Sequence, residues 1–266
     1  MSAVSRLSFC RVGAGTAVDA ALARAPLRLL TPKNHGNAAW AYTTNLGGGL
    51  VGGDDVRLSV SVGAFARAVL SSQGATRIYR SSRGTRSDLN VEVAEHGLLA
   101  LLPDPTACFA GAHHEQRIAI ALGTNASLIF ADTITAGRRA HGERWAFGRY
   151  RASLRITVDG RPLIDEALLL DPRHGALADR LGRIDCLATV VLVGPLVAPQ
   201  AAALAALIGA VPQVCQARLL ESASPLGSGL VLRLAGESAE ELASHLRARL
   251  AFLPALLGDD PFARRA

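Results

Sequence analysis

The chain has 266 residues, half of them hydrophobic, with 28 lysine and arginine residues against 22 acidic ones and a formal net charge of +6. This length and apolar content allow a sizeable core, exclude general disorder, and predict one domain over residues 1–266. Aromatic residues make up only 5% of the chain and the arginines are dispersed, so we expect no nucleic-acid partner.

The basic residues are almost entirely arginine, because Lys33 is the only lysine. This bias has two explanations. It follows from genomic base composition, or it reflects an acidic protein partner, since the planar and weakly hydrated guanidinium group suits interfaces. The sequence leaves both explanations open.

The cysteines and the hydropathy pattern bear on the compartment. The four cysteines lie far apart without a Cys-x-x-Cys pair, which favours a reducing compartment over a disulfide scaffold. The N-terminus lacks the pattern of a secretory signal. The most apolar region, 186–212, is interrupted by prolines and predicts a buried strand followed by a helix. We therefore expect a cytoplasmic protein that does not enter a membrane.

In chain order, residues up to about Trp40 have no clear period, and Pro26 and Pro32 favour extended segments there. A turn is predicted over 33–37. The next stretch, 45–54, is unusually rich in glycine and leads into an alternating strand pattern.

Five of the seven residues in 47–53 are glycine. Such a run indicates backbone with positive φ, or a place where another backbone segment approaches closely. A phosphate-binding loop is not favoured, because no lysine is present, Asp54 and Asp55 would repel phosphate, and a strand follows where a helix is required.

Strand signals then follow one another with short interruptions. They cover residues 64–71, 75–81, 88–102, 115–122 and 126–134.

The clearest strand is 150–158, and Asp159-Gly160 predicts a hairpin turn into 162–170. Arginines line the polar face of this strand, at positions 149, 151 and 155. A solvated face is favoured for this arginine stripe over a partner-binding face.

Helices are predicted late in the chain. Residues 199–208 begin with proline and end before Gly209. Ser238 and Glu241 form a capping box before a leucine stripe, and Pro254 is predicted to end that second helix. The sequence therefore predicts a mainly β protein with two helices near the C-terminus.

No preformed metal site or catalytic triad is apparent, and the histidines are interpreted as surface residues. Two carboxylates attract more interest. Asp132 and Glu166 share the strand parity of apolar residues, where an unpaired carboxylate would be costly. Either each pairs with an arginine such as Arg138 or Arg144, or each faces an internal wet passage. Parity alone favours the ion pair.

An ordered set of short motifs resembles one known family, the urease accessory proteins UreD, also called UreH. The motifs occur in the same order along nearly half of the chain, and it is this order that makes the resemblance specific. They are residues 45–54, 75–81, 101–106, 109–111, 131–132, 135–138, 142–144 and 169–172.

The resemblance implies a large irregular β-helical-type stack of sheets with two helices near the C-terminus. It also implies a urease maturation factor, not an enzyme, that binds apo-urease and the accessory protein UreF, which recruits the GTPase UreG. Nickel would pass through in transit, with no permanently bound cofactor. Asp54, Asp132 and Glu166 match acidic positions expected to line that nickel passage, and weak oxygen ligands suit transfer better than storage.

Two alternatives remain at this point. The chain is an enzyme that uses Asp132 and Glu166 as acid and base on a small substrate, or a β-rich binding scaffold unrelated to nickel. Residues 1–40 and 173–266 carry none of the matched motifs, so the sequence does not assign a surface to either partner.

Overall fold

A computed structural model describes residues 4–33, 36–212, 214 and 216–263. It contains seventeen strands and four α-helices among these residues. The strands are β1 Ser5–Val12, β2 Gly15–Leu22, β3 Leu27–Leu30, β4 Ala39–Asn45, β5 Asp55–Val62, β6 Arg67–Ser72, β7 Thr76–Ile78, β8 Thr85–Val93, β9 Leu98–Leu102, β10 Thr106–Cys108, β11 His113–Leu122, β12 Ser127–Thr135, β13 Arg149–Val158, β14 Arg161–Leu170, β15 Cys186–Val193, β16 Leu219–Leu226 and β17 Gly229–Gly236. The helices are α1 Leu177–Leu181, α2 Ala198–Gly209, α3 Ala239–Arg249 and α4 Leu253–Leu257.

The middle of the chain alternates between two sheets. Each time the chain comes back to a sheet, it adds a strand that is parallel to the previous strand of that sheet. One sheet has the order β14-β13-β11-β8-β5-β1-β2, and the other has β16-β17-β15-β12-β9-β6-β4-β3, with β10 beside β12 and β7 beside β10. The strands β5, β8, β11 and β13 are all parallel, as are β4, β6, β9 and β12. The result is a stack of coils, which confirms the predicted fold class.

The first core lies between the two sheets and is built from aligned columns of side chains. Leu58, Leu89, Ile118 and Leu154 stand opposite one another on four successive strands. Since side chains alternate between the two faces of a strand, in-register pairing brings every inward residue into such a column. The sequence alternation predicted this burial correctly.

A second core covers the other face of the larger sheet. Helices α2, α3 and α4 pack there with their buried leucines, including Leu204, Leu242 and Leu253. A strand that lies between two apolar layers buries the side chains of both its faces, so its sequence is a continuous apolar run. This explains the sequence of β9 (LLALL) and of β15.

The outer face of the seven-stranded sheet is polar and its charges are paired locally. Arg151 lies 3.8 Å from Glu115, and Arg155 lies 2.8 Å from Asp165. These pairs agree with the solvated face predicted for the arginine stripe.

Several predicted boundaries are wrong. The strand expected over 88–102 is two strands, separated by a turn in which His96 has a φ of 55°. The signal at 75–81 forms a strand of only three residues. The N-terminal region without a clear period contains three strands. The turn predicted at 33–37 lies partly outside the described residues.

The C-terminal helix also ends earlier than predicted. Ser238 caps α3 by accepting a hydrogen bond from the Glu241 backbone, as the capping box indicates. The helix stops at Arg249, and Pro254 occupies the first turn of α4 instead of ending α3. Proline is tolerated in a first turn because no intrahelical donor is needed there.

The apolar region 186–212 folds as β15 followed by α2, as predicted. Within the described part of the chain, none of the helices has both the length and the apolar character that a membrane span requires.

The glycine stretch packs flat against the segment that contains β7. Leu50 accepts a hydrogen bond from the Tyr79 backbone and donates one to Arg77 O. A Cβ on Gly49 would lie 2.5 Å from Arg77 O, and one on Gly52 would overlap the Ser81 side chain. The predicted close approach of two backbone segments is therefore confirmed, and it is the reason for these two glycines.

We predict that Leu246→Asp unfolds the protein. Leu246 is buried in the core beneath α3, and a charge there has no partner, so we expect a loss of roughly 4 kcal/mol or more in the free energy of unfolding. Urea titration followed by circular dichroism measures the loss. The control is Ala248→Asp, which places the same charge on an exposed position of α3. Equal stability of the two variants would show that Leu246 is not needed for folding.

Candidate functional site

A large cavity of about 630 Å³ opens where the two sheets separate. Its walls come from β11, β13 and β14 on one side and from β12, β15, β16 and β17 on the other. Most of the surface is apolar. The polar side chains in its wall include Gln116, Asp132, Glu166, Glu221 and Arg233.

Asp132 points into the space between the sheets, as its strand parity predicted. Gln116 Nε2 donates a hydrogen bond to Asp132 Oδ2 over 2.8 Å. The side chain lies deep in the protein but is half-buried rather than fully covered, because it faces the cavity. Burial raises the pKa of Asp132, and the hydrogen bonds from Gln116 and the Thr133 backbone oppose that rise only in part.

The ion pair predicted for Asp132 is absent from the described residues. Arg138 pairs instead with Glu143, and Arg144 Nε lies 2.5 Å from Asp185 Oδ1. Both arginines are held by carboxylates of nearby loops, which leaves Asp132 with an uncharged amide as its partner.

Glu166 behaves differently from Asp132. Its Oε1 atom lies 2.7 Å from Arg233 Nη2, so the ion pair prediction is confirmed for Glu166, with an arginine other than the two proposed. Glu166 belongs to β14 and Arg233 to β17, and the pair therefore joins the two sheets across the large cavity. Both side chains remain partly exposed.

An inner cavity of about 140 Å³ lies beyond Asp132. It shares Gln116 and Asp132 with the large cavity, so these two residues stand in a common wall. The inner cavity exists because β9 ends at Leu102 and β10 begins at Thr106. This gap leaves Asp132 paired with β15 on one side of β12 and, in the described structure, unpaired on the other. Pro103 and Asp104 line this gap.

His114 occupies the far wall of the inner cavity. It is 4% exposed, with Thr85 Oγ1 2.8 Å from Nδ1 and Ser87 Oγ 3.3 Å from Nε2. Its ring also stacks near Tyr150, with centroids 6.1 Å apart. Burial lowers the pKa of His114 to about 4, so the ring is neutral near pH 7.

The sequence interpretation missed His114, because it treated the histidines as surface residues and began the strand at position 115. It did not single out Gln116, which lies within the predicted strand 115–122. A signal was present. The inward positions of β8 and β11 start with polar residues and then turn apolar: Thr85 and Ser87 on β8, and His114 and Gln116 on β11. That change along the strands marks a polar end of the inter-sheet layer.

An outer cleft of about 410 Å³ begins on the other side of His114. Asp54 lines this cleft, and its Oδ2 atom accepts a hydrogen bond from the Val51 backbone over 2.8 Å, closing the glycine turn. The cleft is rich in arginine, and Arg83 and Arg149 are among its lining residues.

The three predicted site residues are therefore not gathered at one point. Asp132 and Glu166 line the same large cavity, whereas Asp54 lies in the outer cleft. The inner cavity lies between the two regions, because it shares Asp132 with the large cavity and His114 with the outer cleft. Over the described ranges of the chain, no three His, Cys, Asp or Glu side chains converge to form a metal-binding cluster.

Comparison with known proteins identifies similar chains over almost the whole length. The model of the family "UreD urease accessory protein" matches residues 1–266. The urease accessory protein UreD of Sorangium cellulosum is 51% identical over 260 residues, covering 97% of this chain and 83% of that protein. UreD of Anaeromyxobacter sp. is 44% identical over 261 residues, with coverage of 97% and 88%. The urease accessory protein D of Oryza sativa subsp. indica is 31% identical over 283 residues, with coverage of 95% and 92%.

We predict that Asp132→Asn stabilises the protein at pH 7.0. The unfolded carboxyl ionises near its usual pKa, whereas the buried one retains its proton to higher pH, so the free energy of unfolding falls as pH rises through that interval. Asparagine cannot ionise, so it avoids the cost of burying a charge, and its side-chain oxygen can still accept the hydrogen bond from Gln116. We expect a gain of roughly 1–3 kcal/mol at neutral pH that disappears in acid. Urea titrations at both pH values test it, and a loss of stability at neutral pH would contradict it.

His114 makes stability depend on pH in the opposite direction. Below the ordinary histidine pKa the unfolded chain takes up a proton that the folded chain refuses until about pH 4, so stability falls as pH drops through this window. The contribution is about 3 kcal/mol. We expect His114→Asn to flatten the pH dependence by that amount, although its stability at neutral pH is lower. If the free energy of unfolding changes equally with pH in the variant and in the unaltered protein, the titrating group is not His114.

Proposed function

The chain belongs to the UreD family of urease accessory proteins, which act in urease maturation, and we propose that within this role it conducts nickel ions through its interior to apo-urease. The accessory protein UreF binds it on the supply side, and the GTPase UreG joins through UreF. The protein works in the cytoplasm and catalyses no reaction of its own. Nickel is cargo here, not a resident cofactor.

The observation that carries this proposal is the position of Asp132. A carboxylate buried between two sheets without a cationic partner in the described structure lowers stability. Perturbed carboxylates of this kind are concentrated at functional sites. Asp132 also stands in the wall common to two cavities, where a passing cation would meet it from either side.

The positions of the other polar side chains define the sequence of binding sites along the proposed route. Glu166 lies at the large cavity, Asp132 at the junction with the inner cavity, His114 at the wall toward the outer cleft, and Asp54 within that cleft. The donors are carboxylate oxygens and one neutral imidazole, all of which nickel accepts. Each station offers few ligands, so an ion is held weakly and moves on.

The test compares variants that remove charge but keep shape. Asp132→Asn with Glu166→Gln is expected to lower the nickel content of co-expressed urease several-fold, while the yield of the assembled complex stays unchanged. Metal analysis of purified urease gives the nickel content, and gel filtration gives the yield. The folded state tolerates the first substitution for the reason given above, and Arg233 is exposed enough to lose its partner cheaply.

Asp165→Asn is the matched control. Asp165 precedes Glu166 on β14, pairs with Arg155, and points to the outer face instead of the cavity. It should leave the nickel content unchanged. Normal nickel loading in the double variant would reject the route through these residues, and loss of the complex would assign them a structural role.

A further inference from the structure

Three arginines follow one another at every third position beside the glycine stretch. Arg77, Arg80 and Arg83 are all exposed, and we refer to them as the arginine row. They lie within seven residues of chain, so the row spans at most about 20 Å. That length is within one partner's share of an ordinary protein interface.

Each arginine of the row lies against a glycine that has positive φ. A Cβ on Gly111 would be 3.2 Å from Arg80 Cγ, and one on Gly53 would be 3.4 Å from Arg83 Cζ. Arg77 Nη1 lies 3.9 Å from the corresponding point on Gly48. Arg83 Nη2 also donates to Gly52 O over 3.2 Å. Glycine therefore provides the flat backbone on which these side chains rest.

The row carries positive charge that the described residues do not neutralise. None of its three guanidinium groups forms an ion pair with a carboxylate in the structure as described. Arginines of the outer sheet face differ, since Arg86 lies 2.8 Å from Asp88 and Arg155 lies 2.8 Å from Asp165. The charge of the row is thus available to another molecule.

Apolar and aromatic side chains flank the row. Leu46 and Val51, which both belong to the glycine stretch, are 48% and 54% exposed. Tyr79 packs edge-on against Phe109, with ring centroids 5.1 Å apart. Arginine, tyrosine and phenylalanine are the residue types enriched in protein interfaces.

We propose that the arginine row is the docking surface for an acidic face of apo-urease, an inference that rests on the proposed function. The choice of apo-urease follows from the chemistry of the surface. A recipient must leave after loading, and contacts dominated by exposed charge associate quickly and release readily. Arg83 also borders the outer cleft that contains Asp54, so a protein bound here would sit at that end of the nickel route.

The glycine contacts make this surface suitable for binding. A long arginine side chain loses conformational entropy when it is fixed at an interface. Arg80 and Arg83 already rest on glycine backbone, so part of that loss is incurred in the free protein. A planar guanidinium group then presents its donors in a set direction to carboxylates.

The test measures binding of purified apo-urease to the protein co-purified with UreF, at low and high salt. The variant Arg77→Glu/Arg80→Glu/Arg83→Glu is expected to weaken binding roughly hundredfold at low salt. A matched control, Arg28→Glu/Arg161→Glu/Arg247→Glu, alters the net charge equally at exposed arginines elsewhere and should bind normally. The double variant Arg77→Glu/Arg80→Glu retains the Arg83 hydrogen bond and serves if the triple variant does not fold.

The outcomes distinguish failure of the docking surface from failure of the proposed function. Equal affinity of the row variant and the control overturns the inference, as does loss of UreF in place of apo-urease. If Asp132→Asn still lowers nickel delivery in either case, the proposed function stands without this docking surface. If the unaltered protein fails to bind apo-urease at all, the proposed function and the inference both fall.

Discussion

The parallel, in-register pairing of successive coils is the constraint on which the rest of the structure depends. Successive coils pair without a shift in register, so each residue of β11 lies beside one residue of β8 and one residue of β13 at the same level of the sheet. Apolar positions then form columns such as Val91, Ile120 and Ile156. Polar positions form columns by the same rule, as Thr85 beside His114 and Ser87 beside Gln116 show.

The cavities arise where this regular stacking is interrupted. At residues 103–105 two prolines flank Asp104 and cannot donate to a sheet ladder, so the strand breaks between Leu102 and Thr106. The break lies beside Asp132 and leaves the inner cavity next to it. On the far side, β14 and β16 are the edge strands of the two sheets, and the large cavity opens between them. A local sequence feature therefore fixes the position of the inner cavity, whereas the large cavity depends on where the two sheets end.

Features controlled by neighbouring residues were predictable from the sequence, and features that join distant segments were not. The turn at Asp159-Gly160 and the Ser238 cap are set by local backbone chemistry, and both are present as predicted. The inward direction of Asp132 followed from strand parity. Its partner Gln116 lies on the opposite sheet, and no local pattern relates the two.

The failure at Arg138 and Arg144 has the same cause. Both arginines are close to Asp132 in sequence, but in the folded protein each forms an ion pair with a carboxylate of a loop. The strand error at 88–102 differs, because the turn is short and only residues 94–97 separate the two strands.

The burial of Asp132 has two effects that belong together in the proposed route. Removing water raises the pKa of the carboxyl group, since the charged form loses its hydration. The same loss of water strengthens the attraction between an ionised Asp132 and a divalent cation, because the local dielectric constant is low. A proton and a cation therefore compete for one site. In the proposed route, entry of the cation would favour loss of the proton, and departure of the cation would favour its return.

In the proposed route this exchange would reduce the net charge beside Asp132 both with and without a bound cation. Without a cation, the raised pKa favours the protonated and uncharged form of Asp132, and the hydrogen bond from Gln116 fixes the side chain. With a cation, the ionised carboxylate offsets part of the positive charge. His114 contributes in the same sense, since its lowered pKa leaves a lone pair on the ring at neutral pH in place of a second positive charge. At Asp132 and His114, unlike at Glu166, the proposed route admits a cation without first requiring an ion pair to break.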